Sequence, residues 1–165
     1  MQHVQPHSTT SALVLTAVLI ALTTLFTMYT KIPVPGIRGY FNVGDVVIMT
    51  SALLLGRKYG AYIGAIGPAL ADLFLGYAVF VPITFVVKGI EGYLVGTVYN
   101  HKTTTSALVA TILGGIIIVA GYFIAEYFVF DPGVAIASIL TNAIQAVMSV
   151  IISMILYAIL RRRLA

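Results

Sequence analysis

The chain has 165 residues, 60% of them hydrophobic and 8% charged, with no cysteine. Soluble domains run at roughly 45–50% apolar and about 25% charged, so a mean hydropathy of +1.05 excludes an ordinary soluble domain, and the missing cysteines exclude disulfide frameworks, thiol chemistry and cysteine metal sites. The net charge of +4 does not point to nucleic acid, because the basic residues are scattered apart from Arg161-Arg162-Arg163, a pattern that reports topology in a membrane chain.

Residues 11–29 are uncharged and long enough to span a bilayer. The first ten residues hold no lysine or arginine and no small-residue cleavage site follows, so no cleaved signal peptide is expected. The prolines and glycines between Thr30 and Asn42 exclude a continuous helix. Residues 43–56 form a second apolar stretch, short against a span of about 20 residues. It reads as a thin or tilted helix that Asp45 is placed to cap and Arg57-Lys58 ends. A third span over 59–77 contains Gly67-Pro68, which predicts a kink, and Asp72, which reads equally as a packing or a functional group. A fourth covers 83–99 and is followed by a polar loop from Asn100 to Ser106. The fifth, 107–129, carries Glu126 near its end, and Asp131-Pro132-Gly133 is a turn. The sixth, 134–160, is uncharged. The pattern predicts an all-α polytopic membrane protein, a single domain over 1–165 with six transmembrane helices and no internal repeat.

Six spans put both termini on one side. If that side is cytoplasmic, the inner loops hold Arg57, Lys58, Lys102 and Arg161 to Arg163, and the outer loops hold Lys31 and Arg38. That asymmetry places both ends inside.

Lys88 and Glu91 interrupt the fourth span. A charge at membrane depth costs roughly 2.5–3.5 kcal/mol on insertion scales and usually faces a cavity or a partner. Three residues apart, the two share a helix face. They read either as cavity-lining groups or as a self-neutralising ion pair with a snorkelling lysine. Asn142 and Gln145 form a second such pair on the outer half of the last span, as ligand contacts or as interhelical hydrogen bonds. Glu126 lies at comparable depth. Tyr40, Tyr77, Tyr122 and Tyr127 gather at the same face, where most anchor the interface and one or two are available to stack on a planar ligand. The candidate substrate contacts are therefore Lys88, Glu91, Asn142, Gln145, Glu126 and Tyr40.

Small residues recur at four-residue spacing, which lets helices approach closely. Gly60/Gly64 and Gly92/Gly96 read as packing within the chain. Ala17/Ala21, on the first and peripheral span, reads as a docking surface. No phosphate-binding loop of the form G-x-x-x-x-G-K-[ST] is present, and His3, His7 and His101 all lie outside the spans. The chain is thus not expected to be an enzyme, and neither catalytic residue, metal site nor cofactor is expected. A proton-coupled carrier or small channel using Asp72, Glu91 and Glu126 is the alternative function.

The run Phe41-Asn-Val-Gly-Asp-Val-Val-Ile-Met-Thr-Ser-Ala-Leu-Leu-Leu-Gly56, with Gly64-Ala-Ile-Gly-Pro-Ala-Leu-Ala-Asp72 and Lys88-Gly-Ile-Glu-Gly92, resembles the S components of energy-coupling factor (ECF) transporters of bacterial cell membranes. The match covers most of residues 11–160. The resemblance implies a six-helix subunit that captures one vitamin. It also implies docking through Ala17-x-x-x-Ala21 on a transmembrane coupling subunit driven by two ATPases, and a loop over 30–42 acting as a lid. The central block looks most like the subgroup for hydroxymethylpyrimidine and pyridoxine, with riboflavin next. The absence of tryptophan departs from S components that hold their vitamin against that residue, and it counts against a thiamine-type pocket.

Overall fold

Long apolar runs, cut by glycine, proline and short polar stretches, set where the helices begin and end. The computed structural model describes residues 9–33, 38–100 and 103–164. Among these lie six helices: α1 Thr9–Tyr29, α2 Gly44–Leu55, α3 Arg57–Phe74, α4 Phe80–Val98, α5 Thr104–Val129 and α6 Pro132–Leu164. A hairpin of β1 (Ile32–Pro33) and β2 (Tyr40–Phe41) joins α1 to α2, with Ile32 opposite Phe41 and Pro33 opposite Tyr40. His3, His7, His101, Lys102 and positions 34–37 of the 30–42 loop fall outside the described residues.

Helices α1, α4, α5 and α6 are each long and apolar enough to cross a membrane. Their outer faces expose Leu13, Val14, Ile116, Ile124, Leu140 and Val147, an apolar surface of a size that water does not tolerate. The protein is an all-α membrane protein. Helix α2 has 12 residues, roughly 18 Å at 1.5 Å per residue, and it takes the central place. Every residue of α2 except Leu54 is buried, and it packs against all five other helices. The core gathers around Met49 and Leu53 of α2, with Val95, Ala110, Ile118 and Ala146.

A single residue, Gly56, separates α2 from α3. Its φ of 88° and ψ of −178° fall in a region that is essentially open to glycine alone, and this folds α3 back along α2. Helix α3 continues through the buried Pro68. The glycine pairs act within the chain, as their spacing suggested. A Cβ on Gly64 would come within 2.2 Å of the Lys88 carbonyl oxygen, and one on Gly92 within 2.1 Å of the Gly60 oxygen. Helices α3 and α4 therefore touch backbone to backbone, which fixes the height of Lys88 against α3. The Asp131-Pro132-Gly133 turn proves to be the N-cap of α6. Asp131 Oδ1 accepts from the Gly133 and Val134 N–H groups at 2.8 and 3.0 Å, and proline at the first helical position suits the fixed φ required there.

Candidate functional site

Two turns into α4, Lys88 is carried into the bundle and is only 2% exposed. Its ammonium donates to Asp45 Oδ1 at 2.5 Å and lies 3.6 Å from Glu91 Oε2. Asp45 is completely buried, and its second oxygen accepts from Gln145 Nε2 at 2.7 Å. The other end of that amide, Gln145 Oε1, accepts from the Asn42 backbone N–H at 2.9 Å. One carboxylate thus ties α2, α4 and α6 together beneath the hairpin.

This corrects the capping role expected of Asp45. The residue sits inside α2, and no side chain caps the helix start at Val43. Asn42 makes the entry turn instead, its Oδ1 accepting from the Gly44 N–H at 2.9 Å. The buried ammonium needs a close counter-charge, and Glu91 at 3.6 Å is too distant to serve alone. Asp45 supplies that closer charge.

Above this network lies a small cavity of about 40 Å³. Helix α3 contributes Asp72, α4 Thr84 and Lys88, α5 Tyr122 and Glu126, and α6 Ser138, Asn142 and Gln145; Tyr40 closes it from the hairpin. Tyr40 donates its hydroxyl to Asp72 Oδ1 at 2.5 Å. Burial, and then the adjacent Asp72 carboxylate, hold the Tyr40 phenol far above its ordinary range, so it stays protonated as a donor. The Thr84 and Tyr122 hydroxyls lie 3.0 Å apart, and Ser138 donates to Glu126.

Aromatic contacts hold the hairpin down. The Tyr40 and Tyr77 rings are 4.9 Å apart, and the Lys31 ammonium sits 4.7 Å from the Tyr77 centroid. On the other flank the Arg38 guanidinium lies 4.9 Å from the Phe130 ring, which packs on Phe80 at 5.4 Å. Each such cation–π contact contributes about 0.5–1 kcal/mol when exposed. The hairpin is clasped rather than locked.

Five of the six candidate contacts (Tyr40, Lys88, Glu126, Asn142 and Gln145) line this one cavity. Glu91 does not. Three residues past Lys88, it lies roughly 4.5 Å deeper along the helix, turned towards Gly114 of α5. It is fully buried, and neither carboxylate oxygen has a hydrogen-bond partner. Glu91, expected beside the other candidates, is thus placed beneath the cavity and not in its wall. Asp72, left open in the sequence, does reach it. Thr84 and Ser138 were missed, since hydroxyls are scattered through every span and none stands out by spacing; Tyr122, read in the sequence as an interface anchor or a stacking ring, lines the cavity. Among the described residues no group of three His, Asp or Glu side chains is placed to hold a metal ion. A larger groove of about 590 Å³ between α5 and α6 is lined by residues such as Ile116, Val119 and Val147. It offers a polar solute no hydrogen bond.

A helical membrane protein whose polar groups converge on one small cavity beneath a short hairpin has the build of a solute-binding subunit. Residues 7–162 match the model for the S component of ECF-type riboflavin transporters, and the chain belongs to that family. It is 41% identical over 144 residues to an uncharacterised protein of Pyrococcus woesei, covering 86% of this chain and 95% of that one. It is 28% identical over 151 residues to the thiamine precursor transporter HmpT of Lactococcus lactis subsp. cremoris, covering 91% and 87%. The fold matches the solved S component of a bacterial ECF transporter with a TM-score of 0.74 at 19% identity, over 95% of this chain and 99% of that one. The protein is the substrate-capture subunit of an ECF-type transporter.

Proposed function

We propose that this S component captures a small, uncharged heterocycle bearing amino or hydroxymethyl donors, with hydroxymethylpyrimidine or pyridoxine favoured over riboflavin. The charge balance of the site carries this reading. In the cavity wall two buried carboxyl groups, Asp72 and Glu126, stand against one buried ammonium, that of Lys88, which is already paired with Asp45 beneath it. Such a site favours hydrogen-bond donors and disfavours phosphate or carboxylate on the ligand. Size points the same way. A cavity of about 40 Å³ is far below the roughly 300–1,000 Å³ of drug-sized pockets, so entry requires lifting the hairpin and parting Tyr40 from Asp72. A single six-membered ring demands less of that opening than a three-ring flavin. The likeness to HmpT, named for a thiamine precursor, supports the smaller ligand.

In this reading Tyr40, Glu126, Asn142, Gln145 and Lys88 touch the ligand, and Glu91 serves as a deeper counter-charge for Lys88. A buried polar group left without its partner costs about 1–3 kcal/mol. Asn142→Leu is therefore expected to weaken binding about tenfold or more, 1.4 kcal/mol being a factor of ten. Calorimetric titration with hydroxymethylpyrimidine, pyridoxine, riboflavin and pyridoxine phosphate checks both points. Tightest binding of the phosphorylated compound, or unchanged affinity in Asn142→Leu, contradicts the assignment.

The partners in this reading are a transmembrane coupling subunit, seated on Ala17 and Ala21 of α1, and two ATPase subunits that hydrolyse ATP. Both termini face the cytoplasm, which puts the hairpin and the cavity on the outer side. Single cysteines at Gly133 and Thr104 test the topology on intact cells. An impermeant thiol reagent is expected to label Gly133→Cys and to spare Thr104→Cys, and the reverse pattern inverts the protein and removes the outward-facing pocket.

A further inference from the structure

We propose that Asp45 is a positioning residue: by fixing which way the Gln145 amide points, it holds the base of the hairpin closed over the cavity. The argument starts from donor and acceptor chemistry. An ionised carboxylate only accepts hydrogen bonds, whereas a glutamine amide has one accepting and one donating end. With Asp45 Oδ2 at 2.7 Å, Gln145 must present Nε2 to it. Its Oε1 is then left facing the Asn42 N–H at 2.9 Å. Asn42 immediately follows β2 and is itself buried. The opposite orientation would set two acceptors face to face at Asp45 and two donors face to face at Asn42.

The same carboxylate holds Lys88 at 2.5 Å through its other oxygen. Asp45 itself is absent from the cavity wall, while Lys88 and Gln145 both belong to it. It therefore acts on the site through these two side chains and on the hairpin through one of them. A second link, from the Val43 N–H to Thr30 Oγ1 at 3.0 Å, secures the hairpin base on the α1 side without passing through the cavity. Of the two, only the Gln145 link senses what occupies the site.

The polarity of this relay makes it testable by exchange of charge. Asp45→Asn places an amide nitrogen against Gln145 Nε2, so the glutamine turns over and its Nε2 faces the Asn42 N–H. Gln145→Glu sets two carboxylates against each other and pushes the side chains apart. In the double variant Asp45→Asn/Gln145→Glu, the introduced amide donates to the introduced carboxylate. The other oxygen of that carboxylate again accepts from Asn42. Hydrogen exchange is followed by mass spectrometry on the detergent-solubilised, ligand-free protein, with peptides spanning residues 38–44 compared against the interior of α2. Each single variant is expected to exchange about tenfold faster at the hairpin base, with α2 unchanged, and the double variant to return to within about threefold of the parent. If one single variant fails to fold, the other and the double still decide. Unaltered exchange in the singles, or a double variant as fast as they are, overturns the proposal.

The consequence for binding rests on the cavity being the ligand site, and a second measurement separates the two claims. Titration with hydroxymethylpyrimidine is expected to show weaker binding in Asp45→Asn and recovery in the double variant. A flat titration alongside the expected exchange pattern upholds the relay and removes the ligand from the cavity.

Discussion

Lys88→Met is expected to lower the melting temperature of the solubilised protein by roughly 6–20 °C, taking 3–5 kcal/mol for breaking a buried ion pair and 2–4 °C per kcal/mol for a chain of this length. The substitution keeps the apolar stem but removes the one buried cation that Asp45 and Glu91 share. Two fully buried carboxyl groups are then left without their shared counter-charge, and that uncompensated burial is the source of the loss. Adding Asp45→Asn and Glu91→Gln to the same chain removes the stranded charges, and most of the stability is expected to return, because replacing a whole buried ionic group is often close to neutral. A fall of under about 3 °C for Lys88→Met, the size expected of an exposed pair, would mean that water reaches the ammonium. Differential scanning fluorimetry or circular dichroism suffices for the measurement.

The second large effect concerns transport rather than stability. Ala17→Trp or Ala21→Trp is expected to abolish vitamin uptake by cells while binding to the isolated subunit stays within about threefold of the parent. Both alanines are exposed on α1, on a helix that also exposes Leu13, Val14, Val18 and Leu25. A tryptophan there fills the groove that a small-x-x-x-small face leaves for a neighbouring helix. Neither alanine lines the cavity, to which α1 contributes Thr27 alone among the described residues. Uptake measured with labelled ligand, beside calorimetry on the purified subunit, separates the two quantities. Binding that falls in step with uptake would show that the motif packs this chain's own core.

Much of the site could be read before any fold was known, because its residues are costly where they stand. A lysine, a glutamate and an amide pair inside otherwise uncharged helices need partners, and Lys88, Glu126, Asn142 and Gln145 do meet at one cavity. The partner of Lys88 was harder to see. Asp45 follows Asn42-Val-Gly44 at a helix start, where a carboxylate has an ordinary local explanation, and its true contacts lie 43 and 100 residues away. The misplacement of Glu91 has a different cause. Residues three apart share a helix face only broadly, and a small rotation decides which of them reaches an open space and which is sealed below it.

Sequence by itself determined the solvent, the number of helices and the identity of the groups that could not be left alone. Hydropathy and chain-breaking residues are local quantities, and lipid enforces them strongly because every backbone polar group must be satisfied within its own helix. The tertiary structure alone decided which face of each helix turns inward. In a bilayer the outer surface is as apolar as the core, so the alternation that marks the buried side of a soluble helix is largely absent. That choice falls instead to close backbone contacts, such as Gly64 against Lys88 and Gly92 against Gly60, and to buried charges that must find one another. Together they place Asp45 under Lys88 and Gln145, and so join the cavity to the hairpin above it.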